Sequence, residues 1–279
     1  MPHTTTNFKG ILRYPGGKSR AVKRILPLVP EYEEYREPMV GGGALFFALR
    51  QQQPKKKYWI NDINTDLYLL WKFCKEKPDE LIYEIKKLKN RYKEGKLLYK
   101  YLKNDRKLKI FQRAVRFFIL NRITFYGLVD SGGYSDEAFH KRFTESSIQN
   151  IRVASKLLQG VKITNTDYSK MLKNSGNGVF IFLDPPYLTK RNAKLYGKNG
   201  ELHIKFDHER FARDMMECKA RWLVTYDDCS GINNLFDFAD KKRWVLQYGT
   251  NNKKGKRAKK GRELFISNYT TPQRTLFNS

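Results

Sequence analysis

The chain has 279 residues, 40% hydrophobic and 14% aromatic, enough for one large domain or two modest ones with a real core. Lysine and arginine number 55 against 28 acids, a net charge of +27, which points to nucleic acid as partner through phosphate neutralisation. No apolar run approaches the ~18 residues of a membrane span, the first ten residues lack a leader-like pattern, and Cys74, Cys218 and Cys229 are odd in number and far apart, so the expectation is a cytoplasmic protein with free thiols.

In chain order, RYPGGKSR (13–20) reads as a loop opening into the amphipathic segment AVKRILPLV. YREPMV (35–40) reads as a short strand, broken by Gly41, Gly42 and Gly43, and ALFFAL (44–49) as the start of a helix. KYWIND (57–62) is a second strand ending in an acid. From about 66 to 160 the apolar residues recur at helical spacing with lysines between them, as in ELIYEIKKLKNRYK and KIFQRAVRFFILNR. Strand and helix alternation resumes at 161: VKITNTD, VFIFLDPPY and RWLVTYDD read as strands, with the helix HERFARDMMECKA before the last. WVLQYGT and ELFISNY form a C-terminal hairpin around the loop 251–262. Alternating β and α at both ends predicts a mostly parallel α/β sheet of the Rossmann-like kind, interrupted by a helical insertion. The expected division is a catalytic domain of residues 1–66 and 161–279 and a helical domain of residues 67–160.

Ligands of open α/β sheets bind beyond the carboxyl ends of the strands. Gly41–Gly43 sit at such an end, and Asp62 follows Gly43 by 19 residues, close to the ~20 at which an acid grips a ribose diol. The pair suggests a nucleoside-bearing ligand, although a tight structural turn also accounts for three glycines. PGGKS (15–19) resembles part of a phosphate loop, but the full pattern needs glycine at position 12, which is Leu12, so an ATPase is discounted. Lys18 in a nest of backbone N–H groups suits a carboxylate.

Asp184-Pro185-Pro186-Tyr187 ends another buried strand. Such a segment suits an aromatic amine, whose lone pair is delocalised into its ring. Two acceptors, the Asp184 carboxylate and the Pro185 carbonyl, draw on the amine hydrogens and free the lone pair for attack. Proline stiffens the loop, and Tyr187 offers a face on which a base stacks. Pro-Pro as an ordinary strand stop is the bland alternative.

Together these residues resemble the Dam-type DNA adenine methyltransferases, in family order: YPGGK (14–18), EPMVGGGALF (37–46), NDIN (61–64), LNRITFYGL (120–128) and DPPY (184–187). The resemblance implies a class I methyltransferase sheet, S-adenosyl-L-methionine as cofactor, no metal, double-stranded DNA as partner, a helical target-recognition insertion and action as a monomer. It implies cofactor contacts from Tyr14, Lys18, Glu37, Pro38, Gly41, Gly43, Asp62, Asp167 and Asp184. Asp184, Pro185 and Tyr187 would face a base flipped out of the duplex. Arg122 would contact phosphate and Phe125 would fill the vacated place, helix-end packing being the alternative for both. Relatives that methylate GATC carry arginine where Asp130 stands, and an aspartate more naturally accepts from cytosine than binds guanine. Lys253, Lys254, Arg257, Lys259 and Lys260, among the seven basic residues of 251–262, are expected to meet the DNA backbone. A methyltransferase of RNA or of another amino group with the same Asp-Pro-Pro-Tyr chemistry is the alternative.

Overall fold

The computed structural model describes residues 8–13, 21–104, 107–188, 206–247 and 260–271. A seven-stranded sheet runs in the order β3-β2-β1-β4-β5-β7-β6. Its strands are β1 (Glu34–Glu37), β2 (Lys57–Asn61), β3 (Lys162–Thr164), β4 (Val179–Leu183), β5 (Arg221–Asp227), β6 (Asp240–Gln247) and β7 (Lys260–Ser267). The first five are mutually parallel, and β7 inserts antiparallel between β5 and β6. The chain thus makes the expected hairpin, but Lys260 to Arg262, read as loop, already belong to β7, where Lys260 pairs with Gln247.

The central strands β4 (VFIFL) and β5 are buried on both faces, which is why they read as continuous apolar runs. Alternation still sorts their side chains. Phe180, Phe182 and Leu223 join one core with the helices, whereas Ile181, Leu183, Trp222 and Val224 join a second core under the helix His208–Glu217. The strand β1 is shorter than the expected 35–40 and carries charge: Glu34-Tyr35-Arg36-Glu37. Arg36 is nevertheless only 6% exposed, because its guanidinium donates to Met171 O (2.7 Å), Lys173 O (3.0 Å) and Glu34 Oε1 (2.7 Å) and lies over Trp59.

The helices are α1 (Val22–Ile25), α2 (Ala44–Gln52), α3 (Thr65–Glu76), α4 (Pro78–Arg91), α5 (Gly95–Asn104), α6 (Ile110–Ile123), α7 (Asp136–Arg142), α8 (Glu145–Leu158), α9 (Ser169–Leu172), α10 (His208–Glu217) and α11 (Ser230–Leu235). Six of them, α3 to α8, lie between β2 and β3 in the chain. Their apolar faces, among them Trp71, Ile85, Phe118 and Ile151, share one continuous core with Tyr35, Ile60 and Phe182 of the sheet. Local chemistry sets their starts: the Asn64 side chain accepts from the Asp66 and Leu67 amides, Ser135 from Ala138, and Thr144 from Ser147. Among the described residues no helix is long and apolar enough to cross a membrane, and no cluster of His, Cys, Asp and Glu could hold a metal. The three cysteines are free.

Candidate active site

The strand order reverses between β1 and β4, so the two loops that leave the carboxyl ends of those strands diverge and open a crevice. A cavity of about 420 Å³ occupies it, the size of a small-ligand site. Seven residues singled out in the sequence line it together: Glu37, Pro38, Gly41, Gly43, Asp62, Asp167 and Asp184.

Glu37 is the last residue of β1 and only 4% exposed. Tyr35 Oη donates to its Oε2 at 2.7 Å, and the Phe46 amide in the first turn of α2 also bonds the carboxylate. Burial, aided by the nearby Asp184 and Asp62 charges, pushes its pKa up to about 8 against those two hydrogen bonds. Gly43 begins α2 at φ +69°, and an added Cβ would lie 3.1 Å from the Phe47 ring, so glycine suits both the turn and the packing.

Asp62 follows β2. Its Oδ2 accepts from the Gly41 amide at 3.0 Å and its Oδ1 from the Asn64 amide at 2.9 Å. Burial raises it to about 6 in spite of both bonds. Asp167 behaves differently. Partial burial works to raise it, but hydrogen bonds from Ser169 and Arg210 prevail and hold it below the ordinary aspartate value. Arg210 of α10 grips it with both terminal nitrogens, at 3.0 and 3.4 Å.

Asp184 is half-buried, and Thr225 Oγ1 donates to its Oδ1 at 2.6 Å. Pro185 and Tyr187 do not line the cavity. Pro185 is buried, and Tyr187 is 7% exposed with its hydroxyl on Glu263 Oε2 at 3.0 Å and its ring 6.2 Å from that of Tyr226. Sequence reading assigned no role to Thr225, Glu263, Arg210 or Asn61. A hydroxyl inside the apolar run of β5 was a usable signal for Thr225. Asn61 is 1% exposed and ties two loops to the end of β2: its Nδ2 donates to Pro38 O and Thr166 O, both at 2.9 Å, and its Oδ1 accepts from the Thr166 amide at 2.9 Å. Arg210 carries no sequence signal, since it meets Asp167 only through the fold.

The segment LNRITFYGL lies apart from the cavity lining, at the end of α6. The Asn121 side chain accepts from the Arg13 amide (2.9 Å) and donates to Arg13 O (2.8 Å) and Gly127 O (3.0 Å). Gly127 has φ +75° and a Cβ there would stand 2.1 Å from Arg13 O, so the loop tolerates only glycine. Phe125 and Tyr126 are left 54% and 52% exposed, the latter at φ +55°. Arg122 lies over the Phe118 ring, and its Nε is buried without a partner among the described residues. Burial, then the like charges of Arg13 and Arg142, lower it to about 10. Asp130 is half-buried, its carbonyl accepting from Lys103 Nζ at 2.6 Å. Tyr14, Lys18, Lys253, Lys254, Arg257 and Lys259 lie outside the described residues, as does the side chain of Lys260.

Two buried acids, Glu37 and Asp62, line the cavity, and they suit a cation with hydroxyl groups such as a sulfonium nucleoside. A Rossmann-like sheet with that cavity at its switch point and Asp-Pro-Pro-Tyr after β4 defines an S-adenosylmethionine-dependent amino methyltransferase. The profile of the D12 class N6 adenine-specific DNA methyltransferases matches residues 14–250, and the chain belongs to that family. It is 28% identical over 292 residues to the Type II methyltransferase M.MjaIII of Methanocaldococcus jannaschii, a match spanning 94% of this chain and 99% of that one. It is 30% identical over 226 residues to the Type II methyltransferase M1.LlaDCHI of Lactococcus lactis subsp. cremoris, covering 74% and 72%. The DNA adenine methylase of Vibrio cholerae is 27% identical over 222 residues, covering 76% and 77%. A SAM-dependent O-methyltransferase from Thermotoga maritima superimposes with a TM-score of 0.41 at 10% identity, covering 96% and 70%. The enzyme methylates adenine in DNA, and the RNA and other amino-group alternatives are set aside.

Proposed function

We propose that the enzyme turns its target adenine out of double-stranded DNA into the crevice between β1 and β4, and that Asp184 and the Pro185 carbonyl receive its amine there. The single observation that carries this reading is the junction of Asp184 with the acid-lined cavity. Asp184 is both a wall of that cavity and the first residue of the loop leaving β4, so it stands between cofactor and base.

Glu37 and Pro38 hold the methionine part of the cofactor, Gly41 and Gly43 let the backbone approach it, Asp62 accepts from the ribose hydroxyls, and Asp167 meets the adenine end. Bound S-adenosylmethionine supplies a methyl group on a positively charged sulfur. The protein then needs no covalent nucleophile. Asp184, steadied by Thr225, accepts one amine hydrogen and the Pro185 carbonyl the other, which localises the nitrogen lone pair. As the new N–C bond forms, Asp184 holds the hydrogen that the nitrogen must lose. Tyr187 supports the face of the base.

The helical insertion, 67–160, reads the target. Arg122, at the end of α6 beside Arg13 and Arg142, meets a phosphate, and the exposed Phe125 fills the space of the extruded base. Asp130 at the recognition position argues for a site other than GATC. The basic residues Lys253, Lys254, Arg257 and Lys259 before β7, and Lys260 at its start, meet the DNA backbone. The acting unit is read as a monomer. Relatives called Type II methyltransferases favour a role in modification beside a restriction enzyme. The test is Asp184→Ala: methyl transfer to duplex DNA should vanish while DNA affinity persists. Retained activity refutes the assignment.

A further inference from the structure

Tyr187 is joined to the end of the sheet by a contact that the chemistry described so far does not use. Its Oη donates to Glu263 Oε2 at 3.0 Å, and both residues are buried, at 7% and 1% exposure. Glu263 lies on β7, opposite Asp227 of β5, and is followed by Leu264, Phe265 and Ile266, all core residues. An acid in such a strand is unfavourable unless it is hydrogen-bonded, and an apolar residue would serve the sheet better. Local rules are broken in this way at positions that serve a site.

The geometry explains the service. A tyrosine ring has two free torsions, and the backbone fixes only one end. The Glu263 carboxylate fixes the other end, while Tyr226 packs against the ring at 6.2 Å and 40°. The plane of the ring is thereby set before any base arrives, and stacking depends on that plane. We propose that Glu263 is a positioning residue, which holds Tyr187 in the orientation needed to support the flipped adenine. The inference rests on the base-flipping reading above.

The antiparallel entry of β7 next to β5 is what brings residue 263 to residue 187 across a sequence gap of 76. The same two strands grip both ends of the Asp-Pro-Pro-Tyr segment, Thr225 of β5 at its acid and Glu263 of β7 at its ring.

The experiment uses the full chain and two duplexes, one with the target adenine intact for kcat and one with 2-aminopurine in its place for flipping, the target being located by sequencing modified bases in an expressing host. Glu263→Leu and Tyr187→Phe should each lower kcat and the flipping-induced fluorescence about tenfold, the scale of one hydrogen bond to a charged acceptor. Cofactor affinity should stay within about twofold of the parent. The double variant should be no worse than either single one, and Glu263→Gln, which keeps an acceptor, should restore most of the signal. A normal fluorescence rise in Glu263→Leu, or additive losses in the double variant, overturns the proposal. Should Glu263→Leu fail to fold, Tyr187→Phe decides alone: normal flipping there overturns it equally. An active Asp184→Ala enzyme would instead refute the reading of the crevice itself.

Discussion

Glu37 offers the sharpest test of how the crevice receives its cofactor. The carboxyl is 4% exposed and lifted from 4.5 to about 8 by burial, on the order of 5 kcal/mol of disfavoured ionisation at about 1.4 kcal/mol per unit. Because the folded value lies above the unfolded one, protonation stabilises the empty protein. That contribution is complete below about pH 4.5 and is lost as the pH rises through about 8. A sulfonium cation beside Glu37 prefers the ionised form, so binding must drive a proton off. If only the ionised form binds, about one-tenth is competent at pH 7 and nine-tenths at pH 9, so affinity should rise about tenfold over that interval. Asp62, at about 6, is already ionised there and adds little. Calorimetry at pH 7 in buffers of different ionisation enthalpy should detect nearly one proton released per cofactor bound. Glu37→Gln cannot release it, and both the proton count and the pH slope should collapse to what the ligand's own ammonium group contributes. An unchanged slope in Glu37→Gln would show that the acid does not face the cofactor's charge.

The remaining predictions concern neighbouring groups. Thr225→Val preserves shape but removes the 2.6 Å bond to Asp184, and kcat should fall about tenfold or more with cofactor affinity kept; an unaltered kcat in single-turnover assays removes Thr225 from the mechanism. Asp62→Ala strips the acceptor from the Gly41 and Asn64 amides and from the ribose, so cofactor binding measured by calorimetry should weaken at least about tenfold, with a smaller effect on DNA affinity. Replacing Lys253, Lys254, Arg257 and Lys259 by glutamine should lower the steepness of log K against log salt by about 0.9 for each phosphate no longer neutralised, and an unchanged slope takes those residues out of the interface.

Much of this was legible along the chain because it is local. The apolar run of β4 stopping at Asp184, the triple glycine opening α2 and the acid closing β2 are strand-end chemistry, and strand ends are where an α/β sheet offers a site. Helical spacing likewise announced the run of helices between β2 and β3, α3 to α8. Other features had no local signature. The strand β1 reads as charged, and only the carbonyls around residues 171–173 reveal how Arg36 is buried. The start of β7 was hidden in a basic run, because a strand's first residues owe their conformation to the partner across the hairpin.

What the sequence determined by itself, then, was the kind of sheet and the strand-end glycines and acids that line the crevice. The tertiary structure alone decided that β7 lies between β5 and β6, that Thr225 and Glu263 hold the two ends of the Asp-Pro-Pro-Tyr segment, and that Arg210 grips Asp167. The reason is physical: periodicity and turn chemistry act over a few residues. A hydrogen bond between residues 187 and 263 forms only because burial of both sheet faces selects one strand order, and that selection depends on the whole core at once.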